Sequence, residues 1–336
     1  MHDLLKLNWE AFNPRTGLNV LVSAFLVFGL MNLTGESWIA TGMALLFAWL
    51  TNVPGSIRDR SSGMVAFAIG AIVITIASGS LGLGLWTNIV LLVVVGLIGT
   101  LALAHGIRAY MVGYALICWA IYGPFLIADT GVLNCILAIV TGTGAMLLVT
   151  FVGEKIGKTS ETGGSDSNSA SANNSASRPT PDYAPVLPYA ITVAIVLGIT
   201  AYLGWVMLKT DPLMIVGGAF FVIGFDERKT WIAGISRAVG VLAGIFLGLT
   251  LAQFITPGAA SAAILIGAFF LCFAAGGIHP AAFMLFFMFI ISFGWSSLDL
   301  ETLNLTFWER LAGEGIGIVI AMLAVTLLQR LQVQES

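Results

Sequence analysis

The chain has 336 residues, of which 58% are hydrophobic and 9% charged, with a formal net charge of −3. Soluble domains carry about 25% charged residues, so an ordinary soluble enzyme is excluded, and the small net charge gives no basis for nucleic-acid binding. Apolar runs of about 20 residues recur from end to end, the length that crosses a bilayer as a helix with every backbone group satisfied internally, so the chain reads as an all-α integral membrane protein.

In chain order, Leu5, Trp9 and Phe12 are spaced for one face of a short helix on the membrane surface, stopped by Asn13-Pro14. An ordinary frayed terminus fits residues 1–16 equally well, and the secretory signal pattern is absent. Six spans follow at 17–34, 37–53, 63–79, 85–104, 108–127 and 132–152. After Gly153 the composition changes to Ser, Asn, Gly, Thr and Pro, which predicts a flexible linker over 154–185. Six more spans follow at 186–208, 212–225, 236–256, 259–276, 279–295 and 310–331, with a tail at 332–336. The domains are thus a first membrane unit at 17–153 and a second at 186–331.

The two units resemble each other. Gly42-Met43-Ala44 matches Gly217-Gly218-Ala219, Arg60-x-x-Gly63 matches Arg237-x-x-Gly240, and Ala145-Met146-Leu147 matches Ala321-Met322-Leu323. Gly106-Ile107-Arg108 falls between them and matches Gly277-Ile278-His279. Matches in one order at nearly one offset indicate a duplicated unit. About 12 spans put the termini and linker on one side, where 12 of the 14 Lys and Arg residues fall, leaving Lys209 and Arg310 opposite. The termini and linker are therefore expected in the cytoplasm. An even number of spans in each unit predicts two parallel six-helix repeats, and such transporters place the substrate path between the repeats.

No catalytic pattern stands out: there is no His-Glu-x-x-His, no phosphate-binding loop and no cysteine pair at metal spacing. The expectation is a protein that is not an enzyme and uses no cofactor or metal. Cys118, Cys135 and Cys272 lie in apolar runs as packing residues. Arg60 and Arg237 open the third span of each unit. They serve either as topology anchors reaching lipid phosphates or as paired cations at the inner mouth that attract an anion. Arg108 and His279 occupy matched turns and are further candidates for an anion site. Gly240, Gly244 and Gly248 allow close helix approach, with the interface between the units as one place for it.

Glu314 is the unusual residue, a carboxylate about one turn inside the last span. It is a candidate proton carrier, or else the partner of Arg310 at i, i+4. The turn Gly276-Gly277-Ile278-His279-Pro280 and the short second and eighth spans point to a transporter site, although a tight cytoplasmic turn explains the first. Tyr110, Trp119, Tyr122, Phe283, Phe286 and Phe287 either stack an aromatic ligand or face lipid and neighbouring helices.

Ser37-Trp38-Ile39-Ala40, the Asn52-x-Pro54-Gly55 turn and Arg60 opening a small-residue span form a pattern that repeats. Asp211-Pro212 and Ser236-Arg237-Ala238-Val239-Gly240-Val241-Leu242-Ala243-Gly244 repeat it, and Arg310 to Gly317 closes the unit. This pattern resembles the membrane module of the fusaric acid resistance and aromatic acid exporter proteins. The resemblance implies a bacterial inner-membrane exporter of aromatic or other organic acids, driven by the proton gradient. Its partners would be a small organic acid and the lipid bilayer, with self-association left open. A passive organic-anion channel on the same scaffold and a non-transporting membrane scaffold are the alternatives. Many members carry a large cytosolic domain after the membrane helices, where this sequence shows only the linker, and the usual Gly-Thr after the arginine is missing in both units.

Overall fold

The computed structural model describes residues 9, 12–34, 38–53, 55–82, 84–161, 183–208, 213–224, 227–255, 259–275, 278–295 and 300–335. Among them are twelve α-helices and no strand. The first unit holds α1 Pro14–Thr34, α2 Trp38–Leu50, α3 Ile57–Leu81, α4 Leu85–Leu101, α5 Ile107–Thr130 and α6 Val132–Glu161. The second holds α7 Leu187–Met207, α8 Leu213–Phe220, α9 Glu227–Phe254, α10 Ala259–Ala275, α11 Pro280–Trp295 and α12 Leu300–Glu335. Most of the predicted N-terminal surface helix and residues 162–182 of the predicted linker lie outside the described residues, as do Asp211-Pro212 and Gly276-Gly277. The helix α6 runs to Glu161, so the first residues assigned to the linker are helical.

Local signals set several boundaries. Ser56 caps α3: its Oγ accepts from the Asp59 amide at 3.2 Å and donates to the Asp59 carboxylate at 2.8 Å. The turns after α3, before α5 and after α5 each place a glycine at positive φ, namely Gly82, Gly106 and Gly131. A side chain at those φ values would strain the backbone, which explains why these turns use glycine.

Seven helical segments are long and apolar enough to cross a membrane: Ile57–Leu81, Leu85–His105, Ile107–Thr130, Val132–Glu154, Leu187–Met207, Thr230–Ala252 and Leu311–Arg330. Shorter apolar helices occupy Thr16–Leu26, Ala40–Leu50, Ala263–Ala275 and Ala281–Ile290. Among the described α-helices α8 is the shortest, at 8 residues, and α2 is next, at 13. At 1.5 Å per residue they cover about 12 and 20 Å, well under a hydrocarbon core of about 30 Å. Large apolar side chains remain exposed in stripes along the long helices. Examples are Val65, Ile69, Val73 and Ile76 on α3, and Trp86, Val90, Val94 and Ile98 on α4. Water penalises such stripes and lipid does not, so the molecule is a multi-pass membrane protein.

Packing follows the same scheme in each unit. The helix α2 packs on α6 as α8 packs on α12, and α3 packs on α5 as α9 packs on α11. Between the units the contacts are reciprocal: α1 lies on α10 and α7 lies on α4. The backbones approach closely where glycine allows it. A Cβ on Gly142 of α6 would meet the Thr41 carbonyl of α2 at 2.6 Å. At Gly317 of α12 a Cβ would collide with the Ile215 carbonyl of α8. Gly240, Gly244 and Gly248 press α9 against Ala281, Leu285 and Ser292 of α11. They therefore close a contact inside the second unit, and the interface between the units is made elsewhere. The first unit's centre is an aromatic knot of Phe47, Phe67 and Trp119 in edge contacts, with Trp119 Nε1 donating to Thr75 Oγ1 at 3.0 Å.

A candidate anion site between the two units

Arg237 and Glu314 meet inside the second unit. Nε of Arg237 donates to Oε2 at 2.7 Å and Nη2 donates to Oε1 at 2.6 Å, a bidentate pair joining α9 to α12. Arg237 is 4% exposed and Glu314 3%. Both lie within segments able to cross the membrane, Thr230–Ala252 and Leu311–Arg330. Two charges this deep in an apolar body are tolerated because each satisfies the other. Glycine makes the approach possible: a Cβ on Gly218 of α8 would lie 2.6 Å from the Glu314 carbonyl oxygen, so α12 can sit directly on α8.

The rest of the guanidinium is held loosely. Nη1 donates to Met284 Sδ at 3.1 Å, a weak acceptor. The Phe221 ring lies 4.8 Å from Cζ, close enough for cation–π attraction. Arg237, Met284 and Phe221 all line a cavity of about 220 Å³. Its other walls come from both units: Leu46, Phe47 and Leu50 of α2, Tyr114 and Tyr122 of α5, and Phe283 and Phe287 of α11. Among the described residues that line it, Arg237 is the one charged group. The end of α2 and the non-helical stretch after α8 both reach this space, through Leu50 and Phe221. Irregular backbone at membrane depth is tolerated where it lines a cavity.

Other residues singled out in the sequence are placed as follows. Arg60 is the fourth residue of α3, counting from Ile57, and its Nε donates to Asn52 Oδ1 at 2.6 Å. Arg237 is the eleventh residue of α9, counting from Glu227, because α9 begins earlier relative to the repeat than α3 does. The two matched arginines therefore stand at different positions along their helices. Arg108 Nη1 pairs with Asp59 Oδ2 at 2.9 Å on an exposed surface and lies against Gly55. His279 Nδ1 accepts from the Ala281 amide at 3.1 Å in the turn before α11. The Arg310 side chain lies outside the described residues; the partner that Glu314 takes is Arg237, 77 positions away in sequence. The three cysteines are buried and free, as packing residues. Tyr114, Phe221 and Met284 went unnoticed in the sequence. The spacing of Tyr110, Tyr114 and Tyr122 along one face of α5 is the one signal that would have found Tyr114.

No curated protein and no solved structure matches the chain. Residues 187–326 match the family model described as fusaric acid resistance protein-like, a family of membrane transporters. By this match the part of the chain that contributes Arg237, Glu314 and the α11 wall is similar to the fusaric acid resistance proteins, in support of the family that the whole sequence resembles.

Proposed function

We propose that the chain is an inner-membrane transporter that exports small aromatic carboxylic acids and is coupled to protons. It has twelve membrane helices in two parallel six-helix repeats, with its termini and linker in the cytoplasm. The observation that carries this reading is a guanidinium set in the wall of an otherwise apolar, aromatic cavity between the two units. A carboxylate finds its complement in the arginine, and a ring finds stacking partners in Phe47, Tyr122 and Phe221. Size agrees: a dry apolar cavity of about 150 Å³ holds benzene, so about 220 Å³ suits a substituted single ring. Reciprocal packing of α1 on α10 and α7 on α4 supports the parallel repeat. Gly142 against α2 and Gly317 against α8, in corresponding contacts, support it as well. Glu314, as the counter-ion of Arg237, is the candidate proton carrier.

The test is ligand-induced thermal stabilisation of the purified protein with benzoic and fusaric acids, set against aliphatic acids of similar size, followed by flux in proteoliposomes. A ligand that binds only the folded state raises the melting temperature as its concentration rises. The aromatic acids are expected to stabilise the wild type and to leave Arg237→Gln combined with Glu314→Gln unmoved. Flux is expected to follow an imposed pH difference. If no aromatic acid stabilises the wild type and none is carried, the reading fails. A voltage-dependent current without proton movement would replace it with a passive channel.

A further inference from the structure

We propose that the carboxylate of the transported acid replaces Glu314 on Arg237 and that Glu314 takes up a proton as it leaves, so anion and proton bind together. This rests on the anion reading above and adds the sign and stoichiometry of its coupling. Both Glu314 oxygens are occupied by Arg237, through Nε and Nη2. Two of the five N–H donors of that guanidinium are thus committed and a third meets only the Met284 sulfur, while the cavity offers an incoming anion no second cation among the described residues. A ligand carboxylate on that one cation brings a second negative charge into an apolar cavity, so one of the two carboxylates has to be neutralised, and a ligand that takes the bidentate seat of Glu314 makes Glu314 the one. The displaced Glu314, 3% exposed, would then be a buried carboxylate without a counter-charge, which is neutralised by protonation. The balance is one arginine–glutamate pair, one anion and one proton giving one arginine–ligand pair and one neutral glutamic acid. The proton comes from water and resides on a Glu314 oxygen.

Among the described residues no other group facing the pair is set to take this proton. The helices packed against α12 are α7, α8 and α9. Of these α8 carries no titratable residue, α7 offers Tyr189 and Tyr202, and α9 carries Arg237 together with Glu227, Arg228 and Lys229 in its first turn. Beside Arg237, α5 contributes Tyr114, Tyr122 and Cys118, whereas α2 and α11 contribute none. Tyrosine and cysteine ordinarily keep their protons at neutral pH, so Glu314 is the one carboxylate in this set that meets Arg237. The empty carrier holds a neutral ion pair and the loaded carrier a second neutral pair. Transport is therefore indifferent to membrane voltage and sensitive to the pH difference, and export runs on the outward gradient of the acid.

The experiment is calorimetric titration of the purified full-length protein with benzoate at several pH values between about 5.5 and 7.5, in buffers of different ionisation heat. The wild type is expected to take up about one proton per benzoate, and its affinity to fall about tenfold per pH unit. Glu314→Gln imitates the protonated form. It is expected to bind benzoate with no pH dependence and no proton uptake. Wild-type binding with no proton uptake and a flat pH profile overturns the exchange while leaving the anion site standing, and this measurement needs no variant. Loss of binding in a folded Glu314→Gln also overturns it, because it would make the charged carboxylate part of the ligand's site. No benzoate binding at any pH overturns the anion reading and the exchange with it.

Discussion

At the scale of single residues, the pair of Arg237 and Glu314 separates two kinds of arginine. Removing one member of a buried pair leaves the other charge stranded, at about 3–5 kcal/mol. Arg237→Met alone is therefore expected to lower the melting temperature in detergent sharply. The double variant Arg237→Met with Glu314→Leu should recover most of the loss, since apolar replacements need no partner. Arg108 is the opposite case. Its bond to Asp59 joins side chains that are 51% and 43% exposed. Solvent screens such a pair, so Arg108→Ala is expected to shift stability by no more than about 1 kcal/mol. A melt of both variants in one detergent checks the contrast. Glu314 was legible in the sequence as a carboxylate within an apolar run. Its partner was not: local spacing offers Arg310, and the contact to Arg237 comes from how α12 lies on α9.

At the scale of helices, glycine decides which pairs can touch. Gly142 and Gly317 stand where α6 meets α2 and α12 meets α8, against backbone atoms that cannot yield. Gly142→Val and Gly317→Val are each expected to destabilise the protein by several kcal/mol and to reduce its yield as a monodisperse species on size exclusion. The neighbouring Gly144 and Gly315 have nothing within 4 Å of an added Cβ. Gly144→Ala and Gly315→Ala should be neutral or stabilising by about 0.5–1 kcal/mol, from helix propensity alone. All four residues look alike in sequence, because spacing shows that a small residue recurs without showing which helix it faces. The stripe of Gly240, Gly244 and Gly248 illustrates this: its periodicity predicts close packing, and the partner proves to be α11 of the same unit.

At the scale of the molecule, the cavity lies where the two units face each other, and carrying a ligand across requires them to move. The α4 and α7 contact is one of their joints: a Cβ on Gly96 lies 3.7 Å from the Ala194 Cα, with only the flexible end of Leu197 closer. So close an approach of the two backbones brings cysteines at these positions within reach of each other. Gly96→Cys with Ala194→Cys, once oxidised, is expected to block proteoliposome flux, and a reductant should restore it; full flux in the cross-linked protein would show that this joint stays closed during transport.

What the sequence determined by itself was the helical membrane character, the order of twelve apolar segments and the short second and eighth ones. These follow from composition and run length, which act locally along the chain. It also marked Arg237 and Glu314 separately, since a charge in an apolar run is visible without any fold. The tertiary structure alone decided that the two charges meet and that Arg237 is buried among the helices. It also decided that aromatic side chains from α2, α5 and α11 close around the arginine. Those outcomes depend on contacts between residues far apart in the chain, and they are selected by backbone approach and burial, which no local pattern records.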